Sequence, residues 1–214
     1  MKKALFICDF EDTVKYHNGR DVEGVIKDIL ARAGYEMDIT AEYERVETGE
    51  YAKYDLIVLY PDRLLERATK DFMSAIVQYA VCGGKLLSLH TGSVAPKDSA
   101  YEYVHLMGGR FEHHPKITDL TFTAAPGALE HPIMKDFEEF TTFCEPYFYE
   151  LDPFVNSTLL LEYTYEGQKK PAGWTHRYGK GTVVYLQPGH RAVNFENPAY
   201  QKLIISAVKW LGNC

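Results

Sequence analysis

The chain has 214 residues, of which 46% are hydrophobic and 25% charged, and its formal net charge is −7. This composition is typical of a globular protein, and we expect residues 1–214 to form a single domain. The acidic charge and the absence of a dense Lys/Arg patch argue against a nucleic-acid partner, because binding phosphates needs clustered positive charge. No run approaches the ~18 apolar residues of a membrane span, so we expect a cytoplasmic protein without a membrane partner.

The first half of the chain alternates short apolar runs with helical patterns. Apolar runs predict strands at residues 4–8, 36–41, 55–60 and 85–89. Apolar residues at helical spacing predict one helix capped by Asp21 and ended by Gly34, and another that begins at Thr69 and ends at Cys82. This alternation predicts an α/β fold, with a mostly parallel sheet and helices on both of its faces.

After residue 90 the pattern changes. Residues 93–115 are rich in Pro, Gly and aromatic residues and predict an irregular insertion, either a lid or a dimer contact. Alternating residues at 118–123 and 158–165 predict antiparallel strands, and strands at 172–177 and 182–186 flank a predicted hairpin turn, YGKG. An amphipathic helix begins near Pro198 and continues to Leu211. We also expect the chain to form a homo-oligomer.

Three histidines follow predicted strands. His90 comes directly after residues 85–89, His190 follows the strand at 182–186, and His17 lies in the loop after the first strand. In open α/β sheets, ligands bind beyond the carboxyl ends of the strands, and imidazole suits metal binding and proton transfer near neutral pH. We therefore predict His17, His90 and His190 as ligands of a divalent metal, zinc or manganese. His90 and His190 are also candidate catalytic residues.

Glu145 interrupts an aromatic stretch, where burial of an unpaired carboxylate would be costly, so it is a further candidate catalytic residue, metal ligand or sugar-binding residue. Tyr60, Tyr147 and Trp174 are candidate substrate-binding residues, since flat aromatic faces can pack against sugar rings. The chain has no GxGxxG or GxxxxGK[ST] motif, so we expect no nucleotide cofactor. The remaining histidines are interpreted as structural, and His114 in particular as a turn residue that stacks on aromatic rings. Two carboxylates near the end of the first strand, Asp9 and Asp12, are weaker candidates for the same roles as Glu145.

The order of these motifs resembles the ThuA-like (trehalose utilisation) family. The resemblance covers residues 4–211. Besides the strand-end His17 and the terminal helix, it rests on GGKLLSLHTG (83–92), GGRFEHHP (108–115), HPI (131–133), EPY (145–147) and, after Trp174, GKGTVVYLQPGH (179–190). It implies a flavodoxin-like three-layer sandwich similar to class I glutamine amidotransferases. Those enzymes place a nucleophilic cysteine at a strand elbow, the sharp turn that directly follows a strand. This chain has His90 at that position, so we expect no glutamine hydrolysis.

The resemblance also implies sugar catabolism, with a keto-disaccharide or glycoside derivative as the substrate. Two mechanisms fit the candidate residues. In one, a divalent metal polarises a carbonyl or activates water. In the other, a His/Glu pair performs acid–base chemistry beside a ketone. The reaction could be a hydrolysis, an isomerisation or an elimination. The alternative is a non-catalytic carbohydrate-binding or interaction protein on a retired amidotransferase scaffold.

Overall fold

The computed structural model describes residues 1–95 and 100–214. The strands are β1 (Lys2–Cys8), β2 (Tyr35–Thr40), β3 (Leu56–Tyr60), β4 (Lys85–Leu89), β5 (Gly109–His113), β6 (Thr118–Ala124), β7 (Phe140–Cys144), β8 (Phe148–Leu151), β9 (Thr158–Tyr165), β10 (Gln168–Tyr178) and β11 (Gly181–Leu186). The helices are α1 (Gly19–Arg32), α2 (Glu44–Glu47), α3 (Leu64–Arg67), α4 (Lys70–Val81), α5 (Tyr101–Met107), α6 (Ala192–Glu196) and α7 (Pro198–Leu211).

Nine strands form the central sheet in the order β2-β1-β3-β4-β11-β10-β9-β6-β7. The five strands from β2 to β11 are parallel, and β10, β9, β6 and β7 continue the sheet through antiparallel pairs. Strands β5 and β8 pair in a separate two-stranded sheet. The predicted α/β class with a parallel sheet is therefore confirmed. The sequence does not predict β7, because a polar residue, Thr142, occupies one of its buried positions and breaks the apolar alternation.

Successive side chains of each buried strand enter different layers, because they point to opposite faces of the sheet. In β1, Phe6 packs in the cluster that holds apolar residues of α1 and α7, whereas Ile7 packs in the cluster that holds those of α4 and α5. Helices thus cover both faces, as the sequence predicts. No helix among the described residues is long and apolar enough to cross a bilayer.

Helix α1 begins earlier than predicted. Asn18 is its N-cap and accepts a hydrogen bond from the backbone N–H of Arg20 at 3.0 Å. The prediction that Asp21 caps this helix is wrong; Asp21 lies in the first turn, where its charge is favourable to the helix dipole. Thr69 caps α4 as predicted, accepting a hydrogen bond from the N–H of Phe72 at 3.0 Å.

The predicted hairpin between β10 and β11 is confirmed, with Tyr178 paired to Gly181. Gly179 has a φ of +56°, and a Cβ there would lie 2.7 Å from the Cα of Val81, so this turn requires glycine. In the predicted insertion at 93–115, the described residues include α5 and β5, while residues 96–99 lie outside the described part of the chain.

Candidate metal centre

Four strand ends deliver side chains to one place. His17 lies in the loop between β1 and α1, His90 follows β4, and His190 follows β11. Glu145 follows β7, which runs in the same direction as β11 because four antiparallel pairings separate the two strands. The carboxyl ends of these strands therefore meet at one edge of the sheet, where α/β proteins bind ligands.

The donor atoms of these four residues converge. The Nε2 atom of His17 lies 2.9 Å from Nδ1 of His190 and 3.1 Å from Nε2 of His90. Oε2 of Glu145 lies 3.2 Å from both Nε2 of His90 and Nδ1 of His190, and 3.7 Å from Nε2 of His17. All four atoms lie within 4.8 Å of one another. Tetrahedral zinc with bonds of about 2.0–2.1 Å has ligand atoms roughly 3.3 Å apart, so this spacing suits a metal ion.

Burial and charge set the protonation of the cluster, which we call the His₃Glu cluster. Complete burial lowers the pKa of His90 to about 4, although the nearby Glu145 carboxylate, which favours a charged ring, acts in the opposite direction. Burial alone would raise the pKa of Glu145, but its close contacts with His17, His190 and His90 hold that pKa well below its usual range. At pH 7 the imidazole of His90 is therefore neutral and Glu145 is ionised. These are the forms that bind metal ions.

Two of the histidines have hydrogen-bond partners behind them. Nδ1 of His90 donates to the carbonyl of Gln187 at 2.7 Å, which leaves the lone pair of the neutral ring on Nε2, facing the cluster. Nδ1 of His17 lies 2.5 Å from Oδ1 of Asp62. Burial lowers the pKa of His17, but contacts with Asp62 and Glu145 outweigh it and raise that pKa. Metal-binding histidines in proteins almost always have such an outer partner, which fixes the tautomer and the ring orientation.

The backbone is unusual at two of the cluster histidines. His17 has a φ of 57° and His90 a φ of 44°, in the left-handed region that non-glycine residues seldom adopt and that is enriched at functional sites. The turn at His90 is held by the Tyr185 hydroxyl, which donates to the His90 carbonyl at 3.3 Å. It also needs Gly92, because a Cβ there would lie 2.6 Å from the carbonyl of Leu59. This is the sharp strand elbow expected from the sequence.

The three predicted substrate-binding aromatics are all buried, and two of them contact the cluster. Tyr147 is buried and stacks on His90, with ring centroids 4.3 Å apart. Tyr60 is buried, contacts the His17 ring edge-on at 6.2 Å, and donates its hydroxyl to the Gly189 carbonyl. Trp174 is fully buried against Tyr149 and Tyr185 and is not brought to the cluster. Tyr60 and Tyr147 therefore pack behind the cluster as buried rings, whereas Trp174 packs away from it.

Other candidates from the sequence lie apart from the cluster. Asp9 is completely buried and pairs with Arg67 at 3.0 Å, and the exposed Asp12 pairs with Arg20 at 2.8 Å. Sequence reasoning missed Asp62, although its position directly after β3 follows the same strand-end rule that identified the histidines.

Sequence reasoning also missed the position of His114. It stacks on Tyr147, as expected for a turn residue beside aromatics, with ring centroids 5.6 Å apart. Its Nε2 atom also lies 3.6 Å from Oε1 of Glu145, the carboxylate oxygen that does not face the three histidines, and its side chain is 40% exposed. No local pattern in the sequence indicates that His114 lies close to Glu145. His114 follows β5 and Glu145 shortly precedes β8, so the two residues come together only because β5 and β8 pair.

The ThuA family model, described as trehalose utilisation, matches residues 10–211. The chain belongs to the ThuA family. No curated protein matches the sequence. Membership agrees with the order of motifs in the sequence and gives the protein a connection to sugar metabolism.

Solved structures share the fold at low sequence identity. A ThuA-like protein from Bacteroides uniformis is 18% identical with a TM-score of 0.79, and the alignment covers 98% of this chain and 91% of that one. A second, from Parabacteroides merdae, is 15% identical with a TM-score of 0.75, covering 99% and 90%. A cytoplasmic protein from Salmonella typhimurium LT2 is 17% identical with a TM-score of 0.68, covering 98% and 99%. At these identities the likeness supports the sandwich fold alone.

Proposed function

We propose that this ThuA-family protein is a metal-dependent enzyme of sugar catabolism that acts on a keto-disaccharide or a related glycoside derivative. The observation that carries the proposal is the convergence of three imidazole nitrogens and one carboxylate oxygen within 4.8 Å of one another. The assignment of a sugar substrate rests on the family description, trehalose utilisation. The keto group is the part of such a substrate on which a Lewis acid or an acid–base pair would act.

The donor set fits the proposed metal. Imidazole suits zinc, and carboxylate suits manganese, so a mixed set of three histidines and Glu145 fits either ion. A divalent ion in this position would supply Lewis-acid chemistry, by polarising a carbonyl or lowering the pKa of a water molecule. The neutral His90 and the ionised Glu145 need not lose protons before binding it, which favours binding near neutral pH.

Residues around the cluster have defined roles in this proposal. Asp62 and the carbonyl of Gln187 orient two of the histidine rings, and Tyr147 covers one face of His90 and excludes water from it. His114 stands on the solvent side of Glu145 and is the candidate to move a proton between the site and the solvent.

Glutamine amidotransferase chemistry has no support from the site. The elbow after β4 carries His90 in place of a nucleophilic cysteine. Cys144, which precedes Glu145 in the chain, is completely buried, and burial raises the pKa of its thiol to about 11. A thiol of that acidity is protonated at pH 7, whereas the reactive form of cysteine is the thiolate.

The second candidate function is carbohydrate binding without catalysis. The observation that favours it is the number of ligands. Four protein donors complete a tetrahedral zinc site, as in structural zinc sites, whereas catalytic zinc sites keep one position for water or substrate. An ion with five or six ligands would still leave positions open. The two functions therefore differ in whether the metal-loaded protein turns over a keto-sugar.

The first experiment is metal titration of the chelator-treated protein, with Glu145→Gln and Glu138→Gln compared with wild type. Glu138 is exposed and pairs with Lys202, so its variant controls for the loss of a carboxylate. We expect one ion per wild-type chain, unchanged binding in Glu138→Gln, and roughly 100-fold or greater loss of affinity in Glu145→Gln, since a direct ligand matters at least as much as an outer partner. Absence of stoichiometric binding of zinc or manganese would contradict the metal-dependent function.

The second experiment measures turnover of keto-trehalose by the metal-loaded protein. Turnover that is lost after chelation and restored by the metal supports the enzyme. Saturable sugar binding without turnover, across several keto-glycosides, supports the non-catalytic binder.

A further inference from the structure

A cavity of about 390 Å³ lies beside the His₃Glu cluster and reaches His17 and His190. Its walls come from the loop between β1 and α1, the first turn of α1, the end of β3 and the segment from His190 into α6. The other polar or aromatic residues that line it are Lys15, Tyr16, Asn18, Asp21, Tyr60 and Arg191. Its size falls within the ~300–1,000 Å³ range of small-molecule sites.

Tyr16 is the aromatic residue that this cavity leaves accessible. Its side chain is 53% exposed, whereas Tyr60, also in the cavity wall, is completely buried. The Tyr16 ring stacks on His190, with centroids 5.2 Å apart and an interplanar angle of 28°. One face of the ring is therefore supported by a residue of the cluster, and the rest of the ring is open to a ligand.

The backbone explains this position. His17 has a left-handed φ of 57°, and the chain turns there so that His17 reaches the cluster while its neighbour Tyr16 stays at the surface. A left-handed conformation at a non-glycine residue is disfavoured and persists when the surrounding contacts require it. Here His17 is held by Asp62 and by the other cluster residues.

The polar groups of the cavity have mixed charge. Lys15 and Arg191 are exposed cations in the cavity wall, and the exposed Asp21 adds a carboxylate to the same wall. Sugar hydroxyls both donate and accept hydrogen bonds, so donors and acceptors beside a flat aromatic face suit a neutral sugar. Asp21 offsets part of the positive charge of Lys15 and Arg191, whereas anion sites concentrate positive charge without a carboxylate among it.

We propose that this cavity is the sugar-binding subsite of the protein, with Tyr16 as the platform on which a sugar ring stacks. This inference rests on the proposed function, since it assigns the place of that function's substrate. The sugar ring stacks on the face of Tyr16 that His190 does not cover, and the part of the substrate that extends past the edge of the Tyr16 ring into the cavity approaches His17 and His190. Asp21 and Arg191 then bind hydroxyl groups on the outer edge.

The test is calorimetric titration of the full-length protein with trehalose and with keto-trehalose at millimolar concentrations. Wild type is compared with Tyr16→Ala, Tyr16→Phe and Tyr101→Ala. Tyr101 is 70% exposed and lies outside the cavity, so it controls for the loss of a surface tyrosine. We expect Tyr16→Ala to weaken sugar binding roughly tenfold, which corresponds to ~1.4 kcal/mol. Tyr16→Phe keeps the flat face and stays within about threefold, and Tyr101→Ala binds as wild type does.

The same proteins are titrated with the metal alone, so that failure of the subsite and failure of the proposed function can be distinguished. Tyr16 contributes no metal-binding atom, and we expect Tyr16→Ala to bind the metal as wild type does. Wild-type sugar affinity in Tyr16→Ala, or no saturable binding of either sugar to wild type, would overturn the subsite. Tighter binding of trehalose 6-phosphate than of trehalose would overturn the neutral-sugar assignment. Tyr16-dependent sugar binding by a protein that binds no metal supports the subsite and refutes the metal-dependent function.

Discussion

Replacement of Asp62 by asparagine tests how the cluster is oriented. Oδ1 of Asp62 lies 2.5 Å from Nδ1 of His17, and the Asp62 side chain is 28% exposed. Loss of such an outer partner typically lowers metal affinity about 10–100-fold, or ~1.4–2.8 kcal/mol. Asparagine keeps the size and one acceptor oxygen, and the contact is partly screened by solvent. We therefore expect the lower end of that range, roughly a tenfold loss at pH 8.

The pH dependence of this loss has a defined sign. Asp62 raises the pKa of His17, so in wild type a proton competes more strongly with the metal for this ring as the pH falls. Asp62→Asn removes part of that competition together with the orientation. The loss of affinity should consequently be smaller at pH 6 than at pH 8.

The assay is competition with a chelator of known affinity at both pH values, using wild type, Asp62→Asn and Asp12→Asn. Asp12 lies in the same β1–α1 loop as His17, is 89% exposed and pairs with Arg20, so its replacement should change metal affinity by less than about twofold. Equal affinities of Asp62→Asn and wild type at pH 8 would refute the reasoning. So would a loss that grows as the pH falls.

Three further predictions concern stability and the turn at His90. Tyr185→Phe should lower metal affinity several-fold and the free energy of unfolding by about 1–2 kcal/mol. The hydroxyl of Tyr79 donates to the Tyr54 carbonyl, away from the cluster, so Tyr79→Phe should lower only the free energy of unfolding. Chelator competition measures the metal affinity, and urea unfolding measures the stability. In the metal-free protein, unfolded His90 binds its proton near pH 6.5 and folded His90 near 4, so stability should fall as the pH drops through this window, by about 3 kcal/mol in full. Urea unfolding at pH 7 and pH 5 should show a larger loss of unfolding free energy at pH 5 in wild type than in His90→Gln. The raised pKa of His17 has the opposite effect on stability, but it is present in both proteins. An equal loss in the two proteins would therefore contradict the prediction. Metal at 100 times its Kd should raise the free energy of unfolding by about 2.7 kcal/mol and Tm by roughly 5–11 °C. The same metal concentration should leave Tm of Glu145→Gln nearly unchanged, as measured by thermal denaturation.

Local patterns in the sequence are sufficient to predict the main layers of the fold. The apolar runs of β1, β3 and β4 and the periodic stripes of α1, α4 and α7 identify these elements, because each pattern follows from the geometry of one strand or one helix. The local pattern does not determine where α1 begins, since several residues near its start can cap a helix and only the backbone conformation selects Asn18.

The sequence also identifies three of the four cluster residues by one rule. His17, His90 and His190 each follow a strand of the parallel half, and parallel strands place their carboxyl ends at the same edge. This rule depends on the order of elements along the chain and identifies the edge of the sheet to which each histidine belongs.

The convergence itself was decided by the tertiary structure. Glu145 follows β7, at the far edge of the sheet, yet its carboxylate reaches histidines after the central strands. The Gln187 side chain holds this segment by donating to the Glu145 carbonyl at 2.7 Å. The outer partner Asp62 and the exposed ring of Tyr16 likewise depend on loop backbone, in particular the left-handed φ of His17. Such contacts join residues that are far apart in the chain, so no periodic pattern of apolar residues predicts them. The loops that carry these residues take their conformation from the surfaces on which they pack.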